Sequence, residues 1–322
     1  MKLPSLSLGR APVWAWRAMM AQLEPRERRR FNADPILDVA YTSDIDYAGD
    51  GAAAHELDVI SPLAASAGEA SHPLPVYVYF HGGGWTSGDK TTVTKYCASQ
   101  ARAGMVVVNV NYRMATSFHM RHMMHDGNEA LGWVRRNIER FGGDPTRIVL
   151  GGDSAGGQIA ALLAASTSNG ELADHYGIRP AMPANTVRGL VQHCSAVDFS
   201  VVFERGFIMS LQFVRMLLPE RLSGPALRAA ARFLSPIEWL DAGFPPVFVT
   251  TSENDFFYRA NLNFIARLRH YAVRVETLIY DRSSRNTRHT WQQNASYPES
   301  QAVYSQLQDF VHRVTATVPA SA

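Results

Sequence analysis

Six short apolar runs rich in valine, isoleucine and leucine recur along the chain. Such runs are typical of strands that are buried on both faces of a parallel sheet. Stretches of helical character separate most of them, and this alternation favours an α/β fold in which helices flank a mostly parallel sheet. The predicted strands lie at 76–80, 105–110, 147–150, 189–194, 246–251 and 273–280, and the predicted helices at 94–103, 126–141, 154–167, 260–271 and 299–314.

Two segments depart from this alternation. Near the N-terminus, apolar residues recur at helical spacing over 12–31, and two strands joined by a turn at 49–51 follow. Residues 199–233 are rich in Phe, Met and Leu, have helical character and stand between two predicted core strands. They are interpreted either as an insertion above the sheet, where open α/β folds bind ligands, or as helices that pack against the core.

Composition excludes several classes of protein. The 322 residues carry a formal net charge of +2, which is too small to indicate a nucleic-acid or anionic-membrane partner. No apolar run reaches the roughly 18 residues of a transmembrane helix. Because Arg10, Pro12 and Arg17 interrupt the apolar N-terminal segment, we expect neither a signal peptide nor stable membrane insertion. We therefore expect a cytoplasmic protein, in which Cys97 and Cys194 are buried free thiols.

Ser154 stands at the junction of a predicted strand and a predicted helix, in "RIVLGGDSAGGQIAALLAAS" (147–166). A G-x-S-x-G string in this context indicates a nucleophile elbow, a sharp turn that exposes the serine hydroxyl above the sheet. The positive end of the helix behind it would stabilise negative charge at the site. Trypsin-type proteases contain a similar string, but they require His, then Asp, then Ser along the chain within a frame of β-hairpins, which does not fit this sequence.

A serine nucleophile requires a base, and the base requires an acid that orients it. Behind an elbow the chain order is serine, then acid, then histidine. Asp255 follows the predicted strand 246–251, and His289 lies in the polar loop after the strand 273–280, so these two are the predicted acid and base. The remaining candidates are the acids Glu253, which ranks second, Asp198 and Asp281, and the histidines His270 and His312.

The segment "FHGGGW" (80–85) follows the predicted strand 76–80. Its glycines allow backbone N–H groups to approach a reacting carbonyl closely. We predict that the N–H groups of Gly83, Gly84 and Ala155 bind the oxyanion that forms during acyl transfer. His81 is expected to brace this loop, and not to act as the base.

Taken together, these motifs resemble those of the hormone-sensitive lipase-like family of carboxylesterases. The strings "HGGGW", "GDSAGG", "TSEND" and "RHTW" occur in the family's order, and the resemblance covers roughly residues 55–315. It implies an α/β-hydrolase fold with a mostly parallel central sheet flanked by helices and covered by a helical cap. The cap would comprise residues 1–45 and 199–233, and the catalytic core residues 46–198 and 234–322.

The resemblance also implies a serine carboxylesterase that hydrolyses short- to medium-chain acyl esters of small molecules without a metal or a cofactor. An amidase or formamidase would use the same triad, whereas non-catalytic receptors of this fold typically lack the base. The sequence leaves a homodimer open. From motif adjacency and cap position, the predicted pocket residues are Trp85, Phe207, Met209, Phe213 and Trp291.

The chain departs from the family pattern at three points. After "NYR" it reads "MATSFHMRHMMHD" without a proline, Ser252 stands where the acid-loop motif usually begins with glycine, and Thr290 follows the histidine where glycine is usual. These differences concern the shape of the pocket and the identity of the substrate more than the reaction.

Two groups of polar residues near these motifs have a second interpretation. Three histidines recur at every third residue beside Asp126 and are of a metal-ligating type, but the spacing differs from that of helical zinc pairs, so a packing helix is preferred and no metal is expected. Three arginines near His289 are interpreted as part of a solvated loop, the alternative being attraction of acidic substrates. The residues are His119, His122 and His125, and Arg282, Arg285 and Arg288.

Overall fold

The computed structural model describes residues 11–207 and 211–316, and its centre is one eight-stranded sheet. The strands are β1 (Val39–Asp46), β2 (Glu56–Pro62), β3 (Leu74–Phe80), β4 (Val106–Val110), β5 (Gly143–Asp153), β6 (Val187–His193), β7 (Val247–Ser252) and β8 (Val275–Tyr280). They are ordered β1-β2-β4-β3-β5-β6-β7-β8. β2 runs antiparallel to β1 and β4, and every other neighbouring pair is parallel. The predicted, mostly parallel α/β sheet is therefore confirmed.

Helices connect most of the parallel strands. The described helices are α1 (Ala11–Phe31), α2 (Leu63–Ser66), α3 (Thr94–Arg102), α4 (Met120–Asn137), α5 (Ser154–Ser166), α6 (Gly170–Tyr176), α7 (Leu211–Met216), α8 (Gly224–Ala231), α9 (Tyr258–His270) and α10 (Pro298–Thr315). No helix in these described parts of the chain is both long enough and apolar enough to span a bilayer.

The central strands of the sheet are buried on both faces, and β3 shows why their sequences are apolar. Val76, Val78 and Phe80 belong to a hydrophobic cluster that includes α4, α5 and α9. Tyr77 and Tyr79 belong to a second cluster, which includes α3 and α10. Because successive side chains of a strand point to opposite faces, a strand between two helical layers has no solvent-facing position that would favour a polar residue.

Of the element boundaries that differ from the predicted ones, two bear on the candidate site and its surroundings. β5 extends to Asp153 instead of ending at Leu150, because Gly151 and Gly152 continue the pairing with β3 and β6. The strand therefore leads directly into Ser154. α4 begins at Met120, six residues earlier than predicted, so the histidine-rich segment forms the first turns of a helix that packs against the sheet.

The N-terminal helix α1 lies against the segment that follows β6. The ring of Trp16 meets the ring of Phe213 on α7 edge-on, with 6.1 Å between the ring centres. At the end of α1, Asn32 donates a hydrogen bond to the carbonyl of Thr91 (2.8 Å) and accepts one from the backbone N–H of Lys95 (2.9 Å). These contacts fix α1 beside the start of α3. The division into cap and core at the predicted residue boundaries stays a prediction.

Candidate active site

Ser154 occupies a strained turn between β5 and α5. Its φ is +53°, in the left-handed region that residues other than glycine rarely adopt. The glycines beside it are required by close packing: a Cβ atom on Gly156 would lie 2.0 Å from the carbonyl oxygen of Phe80, and one on Gly152 would lie 2.5 Å from the carbonyl carbon of Gly156. Strand, turn and helix thus have the geometry of a nucleophile elbow.

The three predicted triad residues lie within hydrogen-bond reach of one another. His289 Nε2 is 3.0 Å from Ser154 Oγ, and His289 Nδ1 is 2.9 Å from Asp255 Oδ1. The same carboxylate oxygen accepts the backbone N–H of Phe257 at 2.9 Å, which fixes its orientation. The Asp255 side chain is fully buried, whereas the imidazole keeps about a fifth of its surface exposed. With Nδ1 protonated and facing the carboxylate, Nε2 can accept the serine proton.

The alternative acids and bases lie elsewhere. Glu253 is partly exposed and accepts the backbone N–H of Arg282 at 3.2 Å. Asp198 caps the turn at Ser200, and Asp281 accepts from Ser283. None of these carboxylates contacts His289 among the described residues. Of the other histidines, His270 ends α9 and His312 lies on α10, where its Nε2 is 3.1 Å from the carbonyl oxygen of Ala103.

The segment after β3 passes over the serine. Gly83 and Gly84 have φ values of +129° and +60°, and a Cβ atom on Gly83 would lie 2.0 Å from the carbonyl oxygen of Ser87. Their N–H groups and that of Ala155 make no hydrogen bond within the described parts of the chain, so all three donors remain free for a ligand. His81 stacks on the ring of Tyr112 (4.7 Å), whose hydroxyl donates to the His81 carbonyl.

Asp153 connects three elements of the site, a role that the sequence analysis does not anticipate. Its carboxylate accepts hydrogen bonds from the Tyr79 hydroxyl (2.6 Å), the Gly82 N–H (3.0 Å) and the Gln293 side-chain amide (2.9 Å). Burial raises the pKa of Asp153, and the hydrogen bonds from Tyr79 and Gly82, together with the nearby His289 and His81, oppose that effect. A charged residue placed directly before the nucleophile, at the end of a buried strand, is the signal that could have indicated this role.

A cavity of about 280 Å³ opens above Ser154, and α1 forms much of its wall. Trp16, Met19, Met20 and Leu23 of α1 face it, together with Phe256, whose ring lies 4.1 Å from that of His289. Besides the histidines His81 and His289, the titratable residues that line the cavity are acidic: Glu24, Glu27, Asp89 and Asp153. The three arginines near His289 are not part of this wall.

The predicted pocket residues need correction, because the four that are described do not line this cavity. Trp85 is buried and donates its indole N–H to Gln158 at 2.6 Å. Phe207 packs on Phe257, and Phe213 lies behind Trp16. Trp291 packs against Tyr280. Each of these four side chains packs in the core or beneath α1. The fifth predicted residue, Met209, lies outside the described residues.

The three histidines of the alternative metal interpretation bind separate partners. His122 Nδ1 accepts the backbone N–H of His119, and His125 Nε2 lies 2.9 Å from the carbonyl oxygen of Tyr176. Asp126 instead forms an ion pair with Arg113 and lies 3.3 Å from His55. Within residues 11–207 and 211–316, the one group of potential metal ligands consists of Asp255, His289 and Cys194. Two of these are the acid and base of the triad geometry, and that hydrogen-bonded arrangement accounts for their proximity.

Two departures from the family pattern have a structural explanation. The hydroxyl of Ser252 lies 2.9 Å from that of Thr287 and accepts the backbone N–H of Asn254, so it connects the acid loop to the histidine loop. Thr290 has a φ of +57°, a conformation that glycine adopts most easily, and it lines the cavity beside His289.

Comparison with known proteins supports this architecture. Carboxylesterase NlhH of Mycobacterium tuberculosis is 45% identical over 92 residues, which are 28% of this chain and 29% of that protein. Esterase LipQ of the same species is 29% identical over 222 residues, which are 67% of this chain and 49% of that protein. The chain therefore spans less than half the length of these two relatives.

Solved esterase structures share this fold over almost the whole chain. Esterase B from Lactobacillus rhamnosis superimposes with a TM-score of 0.82 at 23% identity, over 95% of this chain and 96% of that one. A bacterial heroin esterase superimposes with a TM-score of 0.72 at 23% identity, over 95% of this chain and 93% of that one. At this level of identity the likeness shows the fold.

A family model described as the alpha/beta hydrolase fold matches residues 77–287, which is more than half of the chain. The chain therefore belongs to the alpha/beta hydrolase fold family, as the likeness of its motifs to those of the hormone-sensitive lipase-like carboxylesterases predicts.

Proposed function

We propose that this protein is a serine carboxylesterase that hydrolyses short- to medium-chain esters of small molecules. The observation that carries the proposal is the hydrogen-bonded series Ser154–His289–Asp255 at the base of a cavity. Esterases among the relatives and the structural neighbours support the same reaction. We further propose residues 1–45 and 199–233 as the cap of this enzyme.

In the proposed reaction, Ser154 Oγ attacks the ester carbonyl carbon while its proton passes to His289 Nε2. Asp255 holds the Nδ1 proton and stabilises the imidazolium that forms. The oxyanion receives hydrogen bonds from the free N–H groups of Gly83, Gly84 and Ala155, and the positive end of α5 lies beneath it. Collapse of this intermediate transfers the imidazolium proton to the departing alcohol and leaves an acyl group on Ser154.

Hydrolysis of the acyl-enzyme repeats these steps with water. His289 removes a proton from the water as its oxygen attacks the acyl carbon, and then returns that proton to Ser154 as the carboxylic acid leaves. The chain's own side chains and backbone supply every proton transfer and every charge stabilisation in this scheme.

The size and lining of the cavity support small, largely apolar esters. Its volume is about 280 Å³, near the lower end of the roughly 300–1,000 Å³ that ligand pockets usually span. Methionine and leucine side chains of α1 form the apolar part of the wall, and these stabilise acyl or alkyl chains by burial.

A chain-length series of p-nitrophenyl esters, measured beside matched anilides, tests the proposal. We expect hydrolysis of acetate to hexanoate esters and loss of about 10⁴-fold or more in kcat for Ser154→Ala. Glu69→Gln, in an exposed loop away from the site, is the control. Preferential turnover of the anilides would instead indicate an amidase, and binding of esters without turnover would indicate a receptor.

A further inference from the structure

Cys194, the first residue after β6, is held in an unusual conformation beneath the triad. Its side chain is fully buried, and its φ of +50° lies in the left-handed region. Its backbone N–H donates to the carbonyl of Thr250 on β7 at 2.9 Å. A strained backbone at a residue other than glycine persists only where the surrounding structure fixes it, and such residues cluster at functional sites.

The thiol faces the carboxylate that orients the catalytic base. Cys194 Sγ, a carboxylate oxygen of Asp255 and a ring nitrogen of His289 all lie within 4.8 Å of one another. Asp255 Oδ1 already accepts from His289 and from the backbone N–H of Phe257. Asp255 Oδ2 is buried, and no group within the described parts of the chain forms a hydrogen bond of ordinary geometry with it. A buried carboxylate oxygen without a donor is costly, so a neighbouring S–H group is well placed to serve it.

The protonation state of the thiol suits this role. Burial raises the pKa of the Cys194 thiol well above its ordinary value, and the charge of Asp255 adds to that effect, whereas the backbone N–H of Thr290 opposes it. The sulfur therefore keeps its proton at neutral pH and is a donor. Thr290 directly follows His289, so the same sulfur lies between the acid loop and the histidine loop.

We propose that Cys194 is a positioning residue of the triad: its S–H donates a hydrogen bond to Asp255 Oδ2, at the place where Cys194, Asp255 and His289 come together. This inference rests on the proposed esterase function, in which Asp255 must hold the imidazole through two chemical steps. The hydrogen bond fixes the plane of the carboxylate and draws part of its negative charge away from His289. The residue acts through Asp255 and does not touch the ester.

Infrared spectroscopy on the intact protein tests the hydrogen bond directly. The Cys97→Ala variant removes the other buried thiol, so the remaining S–H stretching band belongs to Cys194. We expect this band at lower frequency than the band of Cys97 in the Cys194→Ala variant, because hydrogen-bonded S–H groups absorb at lower frequency. We also expect it to move to higher frequency when Asp255→Asn is added. If the frequency of this band did not change on Asp255→Asn, the proposal would be overturned.

Kinetics and proton NMR test the consequence for the triad. For Cys194→Ala we expect kcat to fall about tenfold with little change in KM, as for loss of one hydrogen bond to a charged group. The deshielded Nδ1–H signal of His289 should move further downfield, because the carboxylate becomes a stronger acceptor. Cys194→Ser, which retains a donor, should restore both properties to near the wild-type values, and Cys97→Ala should change neither.

Three results would contradict the role of Cys194 and leave the proposed esterase function intact. The first two are a wild-type kcat and an unchanged Nδ1–H chemical shift in Cys194→Ala. The third is a Cys194→Ser variant that is as impaired as Cys194→Ala. If the wild-type protein hydrolysed none of the esters, the proposed function would fail instead, while the infrared band and the NMR signal would still report on the hydrogen bond.

Discussion

The backbone N–H of Gly82 donates a hydrogen bond to the Asp153 carboxylate at 3.0 Å. This contact joins the turn at Ser154 to residues 80–85, called the oxyanion loop here because they carry two of the proposed oxyanion donors. The approach is so close that a Cβ atom on Gly82 would lie 2.3 Å from Asp153 Oδ2. A tetrahedral intermediate needs its donors fixed in advance relative to the nucleophile. Asp153 provides that fixed relation, since it immediately precedes Ser154.

Replacement of Asp153 should therefore affect the oxyanion loop. In Asp153→Ala all three hydrogen bonds of the carboxylate are lost, and we expect kcat to fall about 10²-fold, comparable to the loss of an oxyanion donor. Asp153→Asn keeps one carbonyl oxygen for Gly82 and Tyr79 and loses only the acceptor for Gln293, so a fall of about tenfold or less is expected. Steady-state kinetics with p-nitrophenyl butyrate measures both. Equal losses in the two variants would contradict this explanation.

The two candidate acids give a clear contrast. Asp255→Asn should lower kcat by about 10³- to 10⁴-fold, because the amide no longer holds the required tautomer of His289 or stabilises its charged form. Glu253→Gln should change kcat by less than about twofold, since Glu253 is partly exposed and bonds to the backbone of Arg282. If the glutamine variant were the inactive one, the assignment of the acid would be wrong.

The wall formed by α1 should set the preferred chain length. Met20→Ala removes a side chain that lines the cavity, so esters longer by one or two carbons should gain relative to butyrate. Each additional buried methylene contributes about 0.8 kcal/mol, or about a fourfold gain in kcat/KM. Trp14→Ala, on an exposed part of the same helix, is the matched control and should leave the chain-length profile unchanged. A profile that Met20→Ala does not alter would place the acyl chain elsewhere.

Acid stability should depend on His193, which is buried between two hydroxyl groups. Its Nε2 lies 2.8 Å from the Tyr96 hydroxyl and its Nδ1 lies 2.7 Å from the Thr250 hydroxyl. Burial lowers the pKa of His193 to about 3. The unfolded chain binds this proton below about pH 6.5 and the folded chain does not, so stability is lost as the pH falls from about 6.5 towards 3.

The expected slope for this single group is about 1.4 kcal/mol per pH unit. Urea unfolding between pH 4 and 7, compared for the wild type and His193→Gln, measures it. The variant should be less stable at neutral pH, and its stability should change less steeply with pH by about that amount. Parallel pH profiles in the two proteins would show that His193 does not contribute to acid sensitivity.

The sequence was most informative about residues whose position follows directly from the order of strands along the chain. The sequence predicts Ser154, Asp255 and His289 as a triad because each follows a predicted strand, and parallel strands bring their carboxyl ends to one edge of the sheet. The substrate wall was not recognised, because an aromatic side chain next to a motif can face either the core or the cavity. Trp85 faces the core, where Gln158 accepts its indole N–H. Met20 and Leu23 face the cavity, and only the three-dimensional placement of α1 reveals it.

The placement of α1 also bears on how the protein is made. Residues that are far apart in the sequence meet above Ser154: Trp16 is synthesised long before His289. During translation Ser154, the proposed nucleophile, emerges 135 residues before His289, the proposed base. A nascent or prematurely terminated chain thus has no competent nucleophile, so hydrolytic activity during translation would report only chains that have been synthesised past His289 and folded.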